Sequence, residues 1–273
     1  MSSILKKEDY EESACLLNMC RSASSIPVTR ILGRLDEYLG RNDYIAAEKH
    51  LKYWIAEAED TGDLRGKLTL LNELIGLTRK TGNAEESFSA ISTALDLAHS
   101  LDFDRTVTMG TTLVNAATAY KAFGKPEDAL SLYQQAQEIY EQMLSPSDFR
   151  FGGLYNNMAL TVMELGNYQL AEDLFQKALS IMSSVENGEL ECAITCCNLC
   201  DLASAEVTKE EDAEERISML LEKAWEYLET NTLPRNGYYA FVCEKCAPTF
   251  GYYGFFLYER LLKERADAIY ARN

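Results

Sequence analysis

The chain has 273 residues, 47% of them apolar and 25% charged, with a net charge of −17 from 43 acidic and 26 basic residues. That balance excludes extensive disorder, and every third of the chain is net acidic, which disfavours a nucleic-acid binder. No apolar run reaches the roughly 18 residues of a membrane span, and Met1 to Tyr10 meets Lys6, Lys7, Glu8 and Asp9 where a secretory signal needs an apolar core. A cytoplasmic location is therefore expected, with reduced thiols.

In chain order, Asp9 to Arg21 reads as an N-terminal cap helix and Pro27 to Gly40 as the first helix of a repeated unit. Asn42, Tyr44, Ala47, Leu51 and Trp54 open the second helix. Gly82 and Ala94 then fall 42 residues before Gly124 and Ala136. One further step of 42 carries Asn115, Ala117, Gly124, Ala129, Leu132, Gln134, Ala136 and Ile139 onto Asn157, Ala159, Gly166, Ala171, Leu174, Gln176, Ala178 and Ile181, all identities. A fixed period of this length is the mark of a repeat array.

Within a unit, Leu154, Met158, Val162 and Leu165 recur at helical steps, and Gly166-Asn167 stops the helix through a left-handed glycine. Leu170, Leu174, Ala178, Ile181 and Val185 stripe a second helix. Pro126 followed by Glu127 and Asp128 suits a helix N-terminus. The recurring alanines let two antiparallel helices approach closely. One such hairpin cannot bury its own apolar face, so the units must stack.

A fifth hairpin is predicted over Glu189–Glu206 and Ala213–Glu229, and a last pair over Tyr238–Ala247 and Thr249–Ala271. The expected organisation is a cap segment over 1–26, about five hairpins over 27–229, and a C-terminal capping hairpin over 230–273.

The pattern Gly-x-x-x-x-Ala-x-x-x-Tyr/Phe-x-x-Ala at Gly166, Ala171, Phe175 and Ala178 resembles the tetratricopeptide-repeat signature. Residues 154–181 are especially similar to the 42-residue variety of kinesin light chains, although Leu113 and Tyr155 stand where a Trp is usual. The segment from Gly237 to Phe250 is similar to uncharacterised bacterial tetratricopeptide proteins. This resemblance implies an all-α solenoid of stacked hairpins, a right-handed superhelix whose first helices line a concave face. It also implies a protein- or peptide-binding scaffold with no catalytic residues.

Asn72, Asn115, Asn156, Asn157 and Asn198 fall on those first helices. In some relatives such asparagines grip a peptide backbone, which suits an amide that both donates and accepts. The alternative is that each amide braces a neighbouring helix. Asn72 and Asn156 lie ten residues before their turn glycines, but Asn115 and Asn157 lie nine before theirs.

The acidity fits plain solubility or attraction of a basic partner. A peptide-sensing regulator is a second reading, although the residues before Ile26 are too few for a DNA-binding domain. A metal-dependent protein or enzyme built on Cys197/Cys200 and Cys243/Cys246 is a third. Both pairs lie in helical patterns without knuckle turns, so core packing is expected, with no metal and no cofactor. The dense aromatics from Tyr238 to Tyr258 are expected to seal the end of the array, with an interface as the alternative.

Overall fold

A computed structural model describes residues 25–205 and 210–271, and side chains except those of residues 210–212. The expected cap helix over Asp9–Arg21 lies outside the described residues. The chain divides into two compact units, one ending at Leu144 and the other beginning at Ser145.

Among the described residues, the first unit holds three helix hairpins: α1 (Val28–Gly40) with α2 (Tyr44–Asp60), α3 (Leu64–Thr81) with α4 (Ala84–Ser100), and α5 (Val107–Ala122) with α6 (Pro126–Met143). The second holds three more: α7 (Phe149–Glu164) with α8 (Tyr168–Met182), α9 (Glu189–Ala205) with α10 (Glu210–Leu228), and α11 (Gly237–Tyr252) with α12 (Phe256–Tyr270). Every element among the described residues is helical.

The turns follow a local rule. Gly82, Gly124 and Gly166 have φ 76, 73 and 80 degrees. This is the left-handed region, which glycine enters without a Cβ penalty. The residue after each glycine occupies the N-cap position of the next helix, which begins immediately beyond it. Asn83 and Asn167 accept from the backbone N–H of Glu86 and Leu170, satisfying one free donor of each second helix. Asp43 and Asp63 cap α2 and α3 in the same way.

The crossing alanines are where close packing needs them. Ala117, Ala129 and Ala136 in the first unit, and Ala159, Ala171 and Ala178 in the second, are fully buried. Large side chains fill the remaining space, notably Leu51, Leu68, Ile75 and Tyr133 in one unit and Leu154, Phe175, Leu199 and Phe250 in the other. Tyr133 shares a 2.9 Å hydrogen bond with Thr118, and burial pushes its phenol up to about 12.

α9 differs from its neighbours. Residues Cys192 to Cys200 are all buried, because the helix packs against α7, α8, α10 and α11. A helix enclosed on all sides needs no polar stripe, which is why small thiols and alanines crowd it.

The last hairpin corrects the expected break at Pro248. α11 runs through Pro248 to Tyr252, and the turn falls at Gly254, with φ 87°. The proline ring is exposed while its neighbours Cys246, Ala247 and Phe250 are buried. Packing on the buried side holds the helix across the lost backbone donor. The first helix of the fourth hairpin starts at Phe149, ahead of the apolar stripe that begins at Leu154, because Asp148 caps it.

Candidate functional site

The five asparagines divide into two bonded pairs and one open residue. On α3, Asn72 Oδ1 accepts from Asn115 Nδ2 of α5 at 2.9 Å, and Asn72 Nδ2 donates to Thr112 Oγ1 at 3.1 Å and to its own Leu68 carbonyl at 3.0 Å. On α7, Asn156 Oδ1 accepts from Asn198 Nδ2 of α9 at 2.9 Å and lies 3.1 Å from Thr195 Oγ1. Each unit thus repeats one constellation: an asparagine on one first helix meets a Thr-x-x-Asn on the next.

Asn72, Asn156 and Asn198 are buried, while Asn115 and Asn157 are half-buried. The register slip between successive units has a physical meaning. The residue ten positions before the turn is the acceptor, Asn72 or Asn156. The donor facing Asn72, Asn115, sits nine before its own turn. An unpaired amide in a helix interface costs about 1–3 kcal/mol, so these bonds fix the register of adjacent first helices.

Asn72, Asn156 and Asn198 therefore spend their amides on neighbouring helices. Asn115 commits one donor and keeps its carbonyl. Asn157 bonds no described residue through its side chain. Thr112 and Thr195 are the partners that sequence reasoning missed, and the signal was their shared position three residues before Asn115 and Asn198.

The cysteines form part of the second unit's core. The Cys197 thiol on α9 is pushed well above its ordinary range, foremost by the neighbouring Cys246 thiol of α11 and then by burial. Cys200 instead donates to the Cys196 carbonyl at 3.3 Å and lies 3.8 Å from that of Ile217 on α10. The two members of that C-x-x-C pair thus face different helices. Burial, foremost, lifts Cys192 and Cys196 to about 12 and Cys243 to about 11. Among the described residues, no three His, Cys, Asp or Glu side chains are placed to hold a metal ion.

Beside them, Glu191 of α9 is sunk against α11, where it accepts from the Tyr238 hydroxyl. Burial raises its carboxyl above the usual range, and Lys245 opposes that shift. The two histidines do local work: His50 meets the Ile31 carbonyl at 3.1 Å and His99 contacts Asp104.

The C-terminal aromatics behave in two ways. Tyr239 and Phe250 are core, whereas Tyr252 and Phe256 are 79% and 69% exposed. Trp225 of α10, Phe250, Phe255 and Tyr258 line a cleft of about 330 Å³ rimmed by Glu222 and Glu226. The tight run of aromatics was visible in the sequence, but Trp225, well upstream, was not tied to it.

Residues 67–142 and 153–185 match tetratricopeptide-repeat families. No curated protein matches the sequence. Among solved structures, the chain is similar to BtubC (BKLC) from P. vanneervenii, at 16% identity over 91% of this chain and 92% of that one, with a TM-score of 0.53. A putative kinesin light chain of Podosopora anserina with nearly identical TPR-like repeats matches at 16% identity over 76% and 96%, TM-score 0.52. NprR in complex with its cognate peptide NprX matches at 15% identity over 91% and 69%, TM-score 0.56. A Rap protein complexed with competence and sporulation factor matches at 16% identity over 90% and 75%, TM-score 0.56. With the hairpins, turn glycines and buried crossing alanines in place, the family matches identify tetratricopeptide repeats over residues 67–142 and 153–185, and the structural matches show an all-α solenoid fold.

Proposed function

We propose that the chain is a non-catalytic scaffold that binds a polypeptide along its first helices, with Asn157 in the second unit meeting the partner's main chain. In the first unit, the free carbonyl of Asn115 offers a contact of the same kind. The observation that carries this reading is the uncommitted Asn157 amide, half-buried on α7 beside an asparagine, Asn156, that is engaged with α9. A side-chain amide left open on an otherwise satisfied face can pair with both the N–H and the C=O of an extended chain. Of two proteins of similar fold, NprR is solved in complex with its cognate peptide NprX, and a Rap protein is solved with competence and sporulation factor.

The charge of −17 favours a partner with basic residues. The protein works in the cytoplasm, where its buried thiols stay reduced. Nothing in the reading calls for a metal, a cofactor, nucleic acid or a membrane; among the described residues no helix is long and apolar enough to cross one.

The test is selection of binders from a displayed random-peptide library, followed by titration calorimetry on wild type and Asn157→Ala. One lost amide contact should weaken a selected peptide about 2- to 13-fold, with an unchanged melt. Equal affinity for both proteins would remove the first-helix face from the account.

A further inference from the structure

We propose that the cleft between α10 and α12, the second helices of the last two hairpins, is a receptor for an arginine side chain of a polypeptide partner. This rests on the polypeptide-binding reading and names a chemical feature of the partner.

The cleft is built from rings. Trp225 and Tyr258 meet edge to face with centroids 4.4 Å apart, and Phe250 lies 5.9 Å from Tyr258 and 6.3 Å from Phe255. Its volume of about 330 Å³ sits at the small end of the roughly 300–1,000 Å³ typical of ligand clefts. Aromatic faces carry negative quadrupole potential and attract a cation placed over them. Two carboxylates reinforce it: Glu222 and Glu226 lie one helical turn apart on α10, both exposed, and both line the opening.

Glu222 has no ion pair among the described residues. Glu226 meets Lys223 at 2.9 Å, but both side chains are more than half exposed, so the pair is weak and can yield to a better donor. The rim is therefore anionic and the walls are aromatic. An apolar side chain would desolvate the carboxylates without replacing their hydrogen bonds, and an acidic one would be repelled.

Arginine suits the site better than lysine. Its flat guanidinium stacks on rings while its fork of donors reaches paired carboxylates. The same wall already shows this chemistry from within the chain. The Arg265 guanidinium lies 4.9 Å from the Trp225 ring centroid, pairs with Glu229 and donates to the Tyr239 hydroxyl at 3.0 Å. An arginine from outside would repeat that arrangement with Glu222 and Glu226.

The chain has two tryptophans, Trp54 and Trp225, so a Trp54→Phe background leaves Trp225 as the sole indole reporter. N-acetyl-arginine methylamide is titrated at low salt while Trp225 emission is followed, with the neutral isostere N-acetyl-citrulline methylamide in parallel. A saturable change with the arginine probe is expected, at least about 5-fold tighter than with citrulline. The double substitution Glu222→Gln with Glu226→Gln should weaken it by a similar factor and leave the melt unchanged. No saturation into the tens of millimolar, or equal binding of citrulline, would overturn the proposal. A silent cleft would leave the first-helix reading standing, and an arginine-binding cleft would leave Asn157→Ala to decide that reading separately.

Discussion

Replacing Asn156 with Ala perturbs the second unit at one atom with a traceable consequence. Asn156 Oδ1 accepts from Asn198 Nδ2 at 2.9 Å and sits 3.1 Å from Thr195 Oγ1. The threonine hydroxyl has a second acceptor, the Glu191 carbonyl at 2.9 Å, so it loses little. Asn198 is only 9% exposed, and its amide has no second acceptor among the described residues. The cost is therefore that of one stranded buried donor, about 1–3 kcal/mol. Asn157→Ala, one residue along the same helix, strands nothing and should lie within about 0.5 kcal/mol of wild type. Urea unfolding followed by circular dichroism measures both. A cycle with Asn198→Ala should return a coupling of about 0.5–3 kcal/mol between positions 156 and 198. Asn156→Ala behaving like Asn157→Ala, or zero coupling, would refute the assigned bracing role.

Further outcomes follow from the core. Ala171→Leu should lower stability by about 1–3 kcal/mol through overpacking at a fully buried crossing, and an unchanged melt would contradict that placement. Glu191 has its folded pKa raised by burial, so its effect on stability is most favourable below its unfolded pKa and is lost as pH rises. Glu191→Gln should therefore raise the melting temperature at neutral pH, with the gap closing in acid; a lower midpoint at neutral pH would mean that the Tyr238 and Lys245 contacts outweigh burial. Cys192 and Cys196, lifted from 9.0 to about 12, favour the fold below pH 9 and withdraw that support as pH climbs toward 12. Native-state thiolate absorbance should thus appear well above pH 9, and its appearance near pH 9 would contradict the burial. Treatment with a chelator should leave the melt unchanged, whereas a drop would place a metal among the cysteines.

The architecture was legible because one fixed period repeats both turn glycines and crossing alanines, and each has a steric reason to recur. The turn at Gly254 was also written in the sequence. Pro248 masked it, since helix propensity cannot register that Cys246, Ala247 and Phe250 are buried on the opposite side. The asparagines were visible as residues but not as pairs. Whether an amide faces a groove or the next helix depends on a partner a full repeat away in the chain, and Thr112 and Thr195 have no local signature beyond their spacing. The cleft was less legible still, because Trp225 joins Phe250, Phe255 and Tyr258 only when α10 packs on the last hairpin.

The most direct test of the scaffold assignment is calorimetric titration of a library-selected peptide into wild type and Asn157→Ala, with both melts recorded. Affinity about 2- to 13-fold weaker in the variant, at an unchanged midpoint, is the expected result. Identical affinity in the two proteins would contradict the claim that the partner lies along the first helices.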